Sequence, residues 1–158
     1  MKRLSSLGAS FRQGQSAGTL FKHPVLLISG LLPGALFAEP EVTGRIALEP
    51  RATSSLEEDP LVVPVVADGA GKARIGRGLD NDIVLPFGSV SRYHAVVSVE
   101  GAEFLISDVG STNGSFLNGK QLCAHERNAL EDDAFLMLGD VEMTFMLART
   151  FVRKLLMK

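Results

Sequence analysis

From Leu61 onward, short apolar runs alternate with turn-forming residues, a rhythm that predicts strands rather than helices. Leu61–Val66 (LVVPVV) reads as a strand, and Pro64, which has no N–H to give a ladder, asks for an edge position or a bulge. Further strands are predicted at Ala73–Ile75, Ile83–Leu85, His94–Val99, Glu103–Ser107, Ser115–Leu117, Phe135–Leu138 and Val141–Leu147. Turn residues separate them at Gly78–Asp82 (GLDND), Pro86–Ser89 (PFGS), Glu100-Gly101 and Gly110–Gly114 (GSTNG). Asn118-Gly119 and Gly139-Asp140 are suited to two-residue hairpin turns. Many short strands with punctuation at this spacing describe an all-β sandwich. The period changes only at the end, where Phe151, Val152, Leu155 and Leu156 recur at helical spacing opposite Arg153, Lys154 and Lys158. Residues 148–158 are therefore predicted to form a short amphipathic helix.

Upstream of Leu61 the pattern is weaker. Residues 1–24 are rich in Ser and Gly and carry Lys2, Arg3, Arg12 and Lys22 without an acid, which predicts a mobile basic leader. Residues 25–60 form an N-terminal extension. Its Val25–Ile28 run is a candidate added strand packed on the sandwich, and its remainder reads as a connecting loop around a short apolar stretch, Ile46–Leu48. The division expected is thus leader 1–24, extension 25–60, β domain 61–147 and helix 148–158.

Composition narrows the function classes. The 158 residues are 46% hydrophobic, enough for a real core, and 6% aromatic with 16 Gly, which suits a turn-rich β protein. A net charge of −2 argues against bulk electrostatic binding to nucleic acid. Within 61–147, twelve acids face six bases, yet four of those bases (Lys72, Arg74, Arg77 and Arg92) fall close together. A local cationic spot on an acidic body suits one small anion better than a polyanion. Cys123 is the sole cysteine, so no intrachain disulfide can form, and it is expected to be a small buried thiol. Pro24–Ala38 contains no charged residue, but Gly30 and Pro33 interrupt it and it is too short to span a bilayer, so no membrane partner is expected. A cytoplasmic location is expected, the alternative being a signal peptide over residues 1–38.

Four polar clusters lie between the predicted strands: Gly76-Arg77, Ser91–His94 (SRYH), Ser111–Gly114 (STNG) and Asn118-Gly119. Their order and spacing resemble the forkhead-associated (FHA) family, with Ile75, Ile83, Leu85, Asp108 and Phe116 also where that pattern expects them. The resemblance covers residues 61–147 and implies an FHA-type sandwich of about eleven strands in a small bacterial protein with a single such domain. It further implies a phosphothreonine-dependent module acting as an adaptor downstream of a Ser/Thr kinase, with a threonine-phosphorylated protein or peptide as partner and no cofactor. By that resemblance Arg77, Ser91 and Arg92 match the positions that grip phosphate. Thr112 and Asn113 match the pair beside the phosphothreonine, the Asn side chain bonding the peptide backbone. Gly76 lets the chain turn, His94 buttresses the loop carrying Ser91, and Gly114 and Asn118 shape neighbouring turns. One departure is visible: Asp133-Ala134 stands where the family usually has Gly-Asp, far from the recognition loops, which bears on local stability rather than on binding.

The residue chemistry agrees. A phosphomonoester carries about −1.5 to −2 charge and three acceptor oxygens. Its reader needs a guanidinium for charge and paired hydrogen bonds, plus a hydroxyl to fix orientation. An enzyme is not expected. Ser91, His94 and Asp108 are the residue types of a hydrolase relay, but the nucleophile elbow is missing and residues three apart on a strand face opposite ways. No metal site is expected, because the histidines are scattered and Asp80–Asp82 lacks the rest of a calcium loop. The alternative function is a phosphate-independent scaffold built on the same fold.

Overall fold

The computed structural model describes residues 2–3, 22–31 and 60–157. Most of the predicted leader, the Ile46–Leu48 stretch and the Ala38 cleavage position lie outside the described residues. The described strands are β1 (Lys2–Arg3), β2 (Val25–Leu31), β3 (Leu61–Pro64), β4 (Lys72–Gly76), β5 (Ile83–Val84), β6 (Ala95–Glu100), β7 (Glu103–Asp108), β8 (Ser115–Leu117), β9 (Lys120–Gln121), β10 (Asn128–Ala129), β11 (Ala134–Leu138) and β12 (Val141–Met146). Helix α1 (Ala148–Leu156) follows.

Two sheets pack face to face. One has the order β1-β3-β2-β12-β11-β8-β9 and the other β10-β7-β6-β4-β5. Every neighbouring pair is antiparallel except β4 and β5. Burial alternates along β4, β6, β11 and β12, as a strand with one face on a core requires. Inward residues of both sheets, among them Leu26, Ile28, Ile75, Leu85, Phe87, Val97, Ile106, Leu136 and Phe145, form a single apolar cluster. Phe104 of β7 and Phe145 of β12 close the gap between the sheets at a centroid distance of 5.3 Å.

Both predicted hairpin turns form. Leu117 faces Lys120 across Asn118 (φ 50°) and Gly119 (φ 84°), the two left-handed residues a type I′ turn needs. Leu138 faces Val141 across Gly139 (φ 59°) and Asp140. At the departure from the family pattern, Asp133 itself adopts φ 66°, a conformation that Asp tolerates better than most residues.

The structure moves several expectations. Val25–Leu31 is not an addition to the sandwich but an interior strand, hydrogen-bonded to β12 on one side and β3 on the other. Leu26 and Ile28 are fully buried in the main core. The sandwich therefore needs residues upstream of 61, and β3 reaches the outer part of the sheet with only β1 beyond it. Pro64 closes β3 opposite Val25, and the Val65 amide still reaches the Pro24 carbonyl at 2.8 Å, so the missing N–H does not break the pairing with β2. The two-residue strands β9 and β10 are too short to leave a periodic signal in sequence. Cys123 is exposed rather than buried, and its neighbour Leu122 takes the inward position.

Helix α1 lies on the outer face of the larger sheet. Phe151 is buried with Val25, Val62 and Met146, and Leu27 packs against them. The N-cap Leu147 offers no capping side chain. Asp132 supplies the missing acceptor, taking hydrogen bonds from the Leu147 amide (2.9 Å) and the Thr150 hydroxyl (2.5 Å). No helix of the described residues is long and apolar enough to cross a membrane.

Candidate functional site

Three loops converge at one end of the sandwich: residues 77–82 between β4 and β5, 85–94 between β5 and β6, and 109–114 between β7 and β8. Backbone bonds join the first two, Arg77 N–H to Ser91 O at 2.9 Å and Gly78 N–H to Arg92 O at 3.1 Å. The approach is so close that a Cβ on Gly76 would overlap the Arg92 carbonyl. Gly76 was expected to permit a turn, yet it ends β4 and its φ is not positive. What excludes a side chain there is the neighbouring backbone. Asn81 is buried beneath this junction and donates to both Gly78 O (2.8 Å) and Arg92 O (2.6 Å).

His94 ties the second loop to the third. The ring is fully buried; Nδ1 accepts the Ser91 amide at 3.0 Å, and Nε2 lies 3.0 Å from the Gly114 carbonyl. An acceptor at Nδ1 and a carbonyl at Nε2 specify the neutral Nε2–H tautomer. Burial lowers the imidazole pKa, opposed by the Gly114 carbonyl and the charge of Asp108. Both ring nitrogens thus face backbone groups, so Ser91, His94 and Asp108 do not assemble a catalytic relay.

Asp108 organises the third loop from below. It is 3% exposed and accepts the amides of Gly110 and Ser111 (both 2.8 Å) and the hydroxyls of Ser111 and Ser115 (both 2.5 Å). Burial pushes its pKa up, but these four donors outweigh that and hold the carboxyl below the usual carboxylate range. Ser111 Oγ accepts the Gly114 amide at 3.0 Å, completing the turn. Gly114 itself takes φ 86°, which demands glycine.

The residues predicted to meet ligand gather around this frame. Arg77 Nε donates to the Val90 carbonyl at 3.1 Å, leaving both terminal nitrogens without a partner among the described residues. Ser91 Oγ accepts the Thr112 amide at 3.0 Å and so keeps its own hydrogen to give away. Arg92, Thr112 and Asn113 are exposed. Asn113 Nδ2 donates to the Ser89 carbonyl at 2.8 Å, so one of its donors braces the site and its Oδ1 remains for another group. Asn118 stands apart, in the β8–β9 turn, where its Oδ1 accepts the Phe135 amide at 2.9 Å.

Sequence reasoning missed two supports. Ser89 bonds to Asn113 and, through Oγ, accepts the Asp140 amide at 3.0 Å, so the β11–β12 turn is part of the site's wall. Gly139 donates to the Gly114 carbonyl at 3.0 Å and leaves no room for a Cβ against Ser89. The other support is Asn81. Nothing local marks either one. Asp108 followed by Gly110-Ser111 is, by contrast, a readable Asx-turn signal.

Residues 73–139 match the FHA domain family model. This chain carries an FHA domain. The matched stretch runs from β4 to the β11–β12 turn and contains the frame described above except Asp140. A solved FHA domain from a study of phosphothreonine-dependent FHA interactions superposes with a TM-score of 0.50 and 25% identity, over 78% of this chain and 96% of its own. The glycogen accumulation regulator GarA of Mycolicibacterium smegmatis is 51% identical over 65 residues, covering 41% of this chain and 35% of GarA. The transcriptional regulatory protein EmbR of Mycobacterium tuberculosis is 37% identical over 79 residues, 50% of this chain and 20% of EmbR. The chain thus spans about a third or less of these curated relatives.

Proposed function

We propose that this FHA domain captures a phosphothreonine segment of a partner protein and so acts as an adaptor downstream of a Ser/Thr kinase, in the cytoplasm, without cofactor or catalytic step. Arg77 and Arg92 supply charge to the phosphate and Ser91 supplies a hydroxyl. Thr112 and Asn113 address the threonine and the peptide backbone. Gly76, His94 and Gly114 keep these groups in place, while Asn118 shapes the β8–β9 turn. The observation that carries the reading is the arrangement at Arg77. Its guanidinium is fixed through Nε, its outer nitrogens have no partner among the described residues, and its backbone amide is bonded to Ser91, whose hydroxyl proton is uncommitted. That is the donor set a dianionic monoester requires, built before the ligand arrives. The likeness to an FHA domain studied for phosphothreonine-dependent interactions supports the same ligand.

Titration of the chain with matched threonine peptides, phosphorylated and not, tests the reading. Binding confined to the phosphorylated member, and weaker to its phosphoserine counterpart, is the expected result. Equal binding of both threonine peptides would overturn it and favour a phosphate-independent scaffold on the same fold.

A further inference from the structure

Two large apolar side chains are left exposed in the loops that hold the phosphate-binding arginines. Leu79 is 53% and Tyr93 55% exposed; Leu79 lies two residues beyond Arg77, and Tyr93 follows Arg92 directly. A single exposed leucine on a surface is ordinary. Here, however, the loop tips bearing the two residues are locked together. Gly78 donates to the Arg92 carbonyl, Asn81 bridges the carbonyls of Gly78 and Arg92, and the Tyr93 hydroxyl bonds the Asp80 carboxylate. The tyrosine ring is therefore held at its far end, and a ring already ordered loses little freedom when a ligand packs on it.

The charges nearby restrict what can pack there. Asp80 is held below the usual carboxylate range, first by the hydrogen bond from Tyr93. Asp82 is held there by the Arg74 amide and guanidinium. The Asp80 carboxylate opposes an acidic peptide residue, whereas the charge of Asp82 is met by Arg74 at 3.2 Å. Arg77 and Arg92, in the same two loops, oppose a basic one. An uncharged apolar side chain meets neither repulsion and covers surface that otherwise faces water.

We infer that Leu79 and Tyr93 form an apolar subsite beside the phosphate grip, selecting phosphothreonine peptides that carry an aliphatic or aromatic residue close to the phosphothreonine. This rests on the function proposed above and specifies the class of peptide that site takes. Each position around the phosphothreonine is scanned in a peptide array, comparing Leu, Phe, Gly, Glu and Lys at each. The full chain should prefer Leu or Phe over Gly at one position by about fivefold, the effect of burying roughly half of a leucine side chain. Leu79→Ser and Tyr93→Ser should each flatten that preference. The Leu-to-Gly ratio is taken within each variant, so a general change in affinity cancels. Phosphorylation-dependent binding without an apolar preference, a preference that survives both substitutions, or selection of Glu or Lys instead would overturn the subsite while leaving the phosphothreonine reading intact. Binding that ignores phosphorylation would overturn both.

Discussion

Replacing His94 with Ala removes a side chain that touches no solvent and joins two loops through backbone groups. The Ser91 amide loses its acceptor, and the Gly114 carbonyl loses one of two donors, keeping the Gly139 amide. An orphaned buried polar group costs about 1–3 kcal/mol. Adding the void left by the ring, the loss should reach about 3–5 kcal/mol, a large share of the roughly 5–15 kcal/mol that holds a domain folded. At about 2–4 °C for each kcal/mol, the melting temperature should fall by about 10 °C. The wild type should also show a pH signature. Burial lowers the folded pKa of His94, so as pH falls the unfolded chain takes up the proton first. This contribution to stability is complete above the ordinary histidine pKa of about 6.5 and declines below it until the folded ring also protonates. Thermal unfolding followed by circular dichroism from pH 7.5 to 5 should thus give a falling melting temperature in the wild type and a shallower fall in His94→Ala. Phosphopeptide affinity should drop with stability, because Ser91 is no longer held. A melting temperature within about 2 °C of wild type would refute the buttressing role, and lost binding at unchanged stability would make His94 a ligand contact instead.

Arg77→Ala should weaken phosphothreonine-peptide binding by about 2–4 kcal/mol in calorimetric titration, and Arg77→Lys should restore only part because an ammonium cannot form a fork. Gly76→Ala should disrupt both stability and binding by forcing the 85–94 loop away from β4, and a variant that melts and binds like wild type would show that the loop yields easily. Removing residues 1–60 takes away β2, and with Leu26 and Ile28 about 1.5–3 kcal/mol of burial each, so the 61–158 fragment should aggregate or melt far lower in size-exclusion and thermal assays. Cleavage after Ala38 would remove the same strand. Asp108→Ala should loosen the 109–114 loop and lower stability near neutral pH while flattening its acid dependence: the depressed carboxyl contributes above its unfolded pKa of about 3.9 and loses that contribution as pH falls through the folded value, so melting between about pH 4 and 2 should decline more steeply in the wild type than in the variant.

Much of this protein was legible without coordinates. The alternation of Ala73–Ile75, His94–Val99 and Val141–Leu147 and the chemistry of Asn118-Gly119 are local properties, since a pleat has period two and a type I′ turn needs two left-handed residues in succession. The order of Gly76-Arg77, Ser91, His94 and Thr112-Asn113 was likewise enough to name the candidate site. Tertiary structure decided the rest. Only the assembled sheet places β2 between β3 and β12, because pairing partners more than thirty residues apart in the chain leave no trace in either strand's own pattern. Only the docked loops explain Gly76, whose missing side chain makes room for a carbonyl from Arg92 rather than for a turn. The same holds for Ser89 and Asp140, and for the inward Leu122 and the exposed Cys123. Sequence pattern reports what each residue asks of its immediate neighbours; which distant backbone group it meets is settled only when both sheets close on one core.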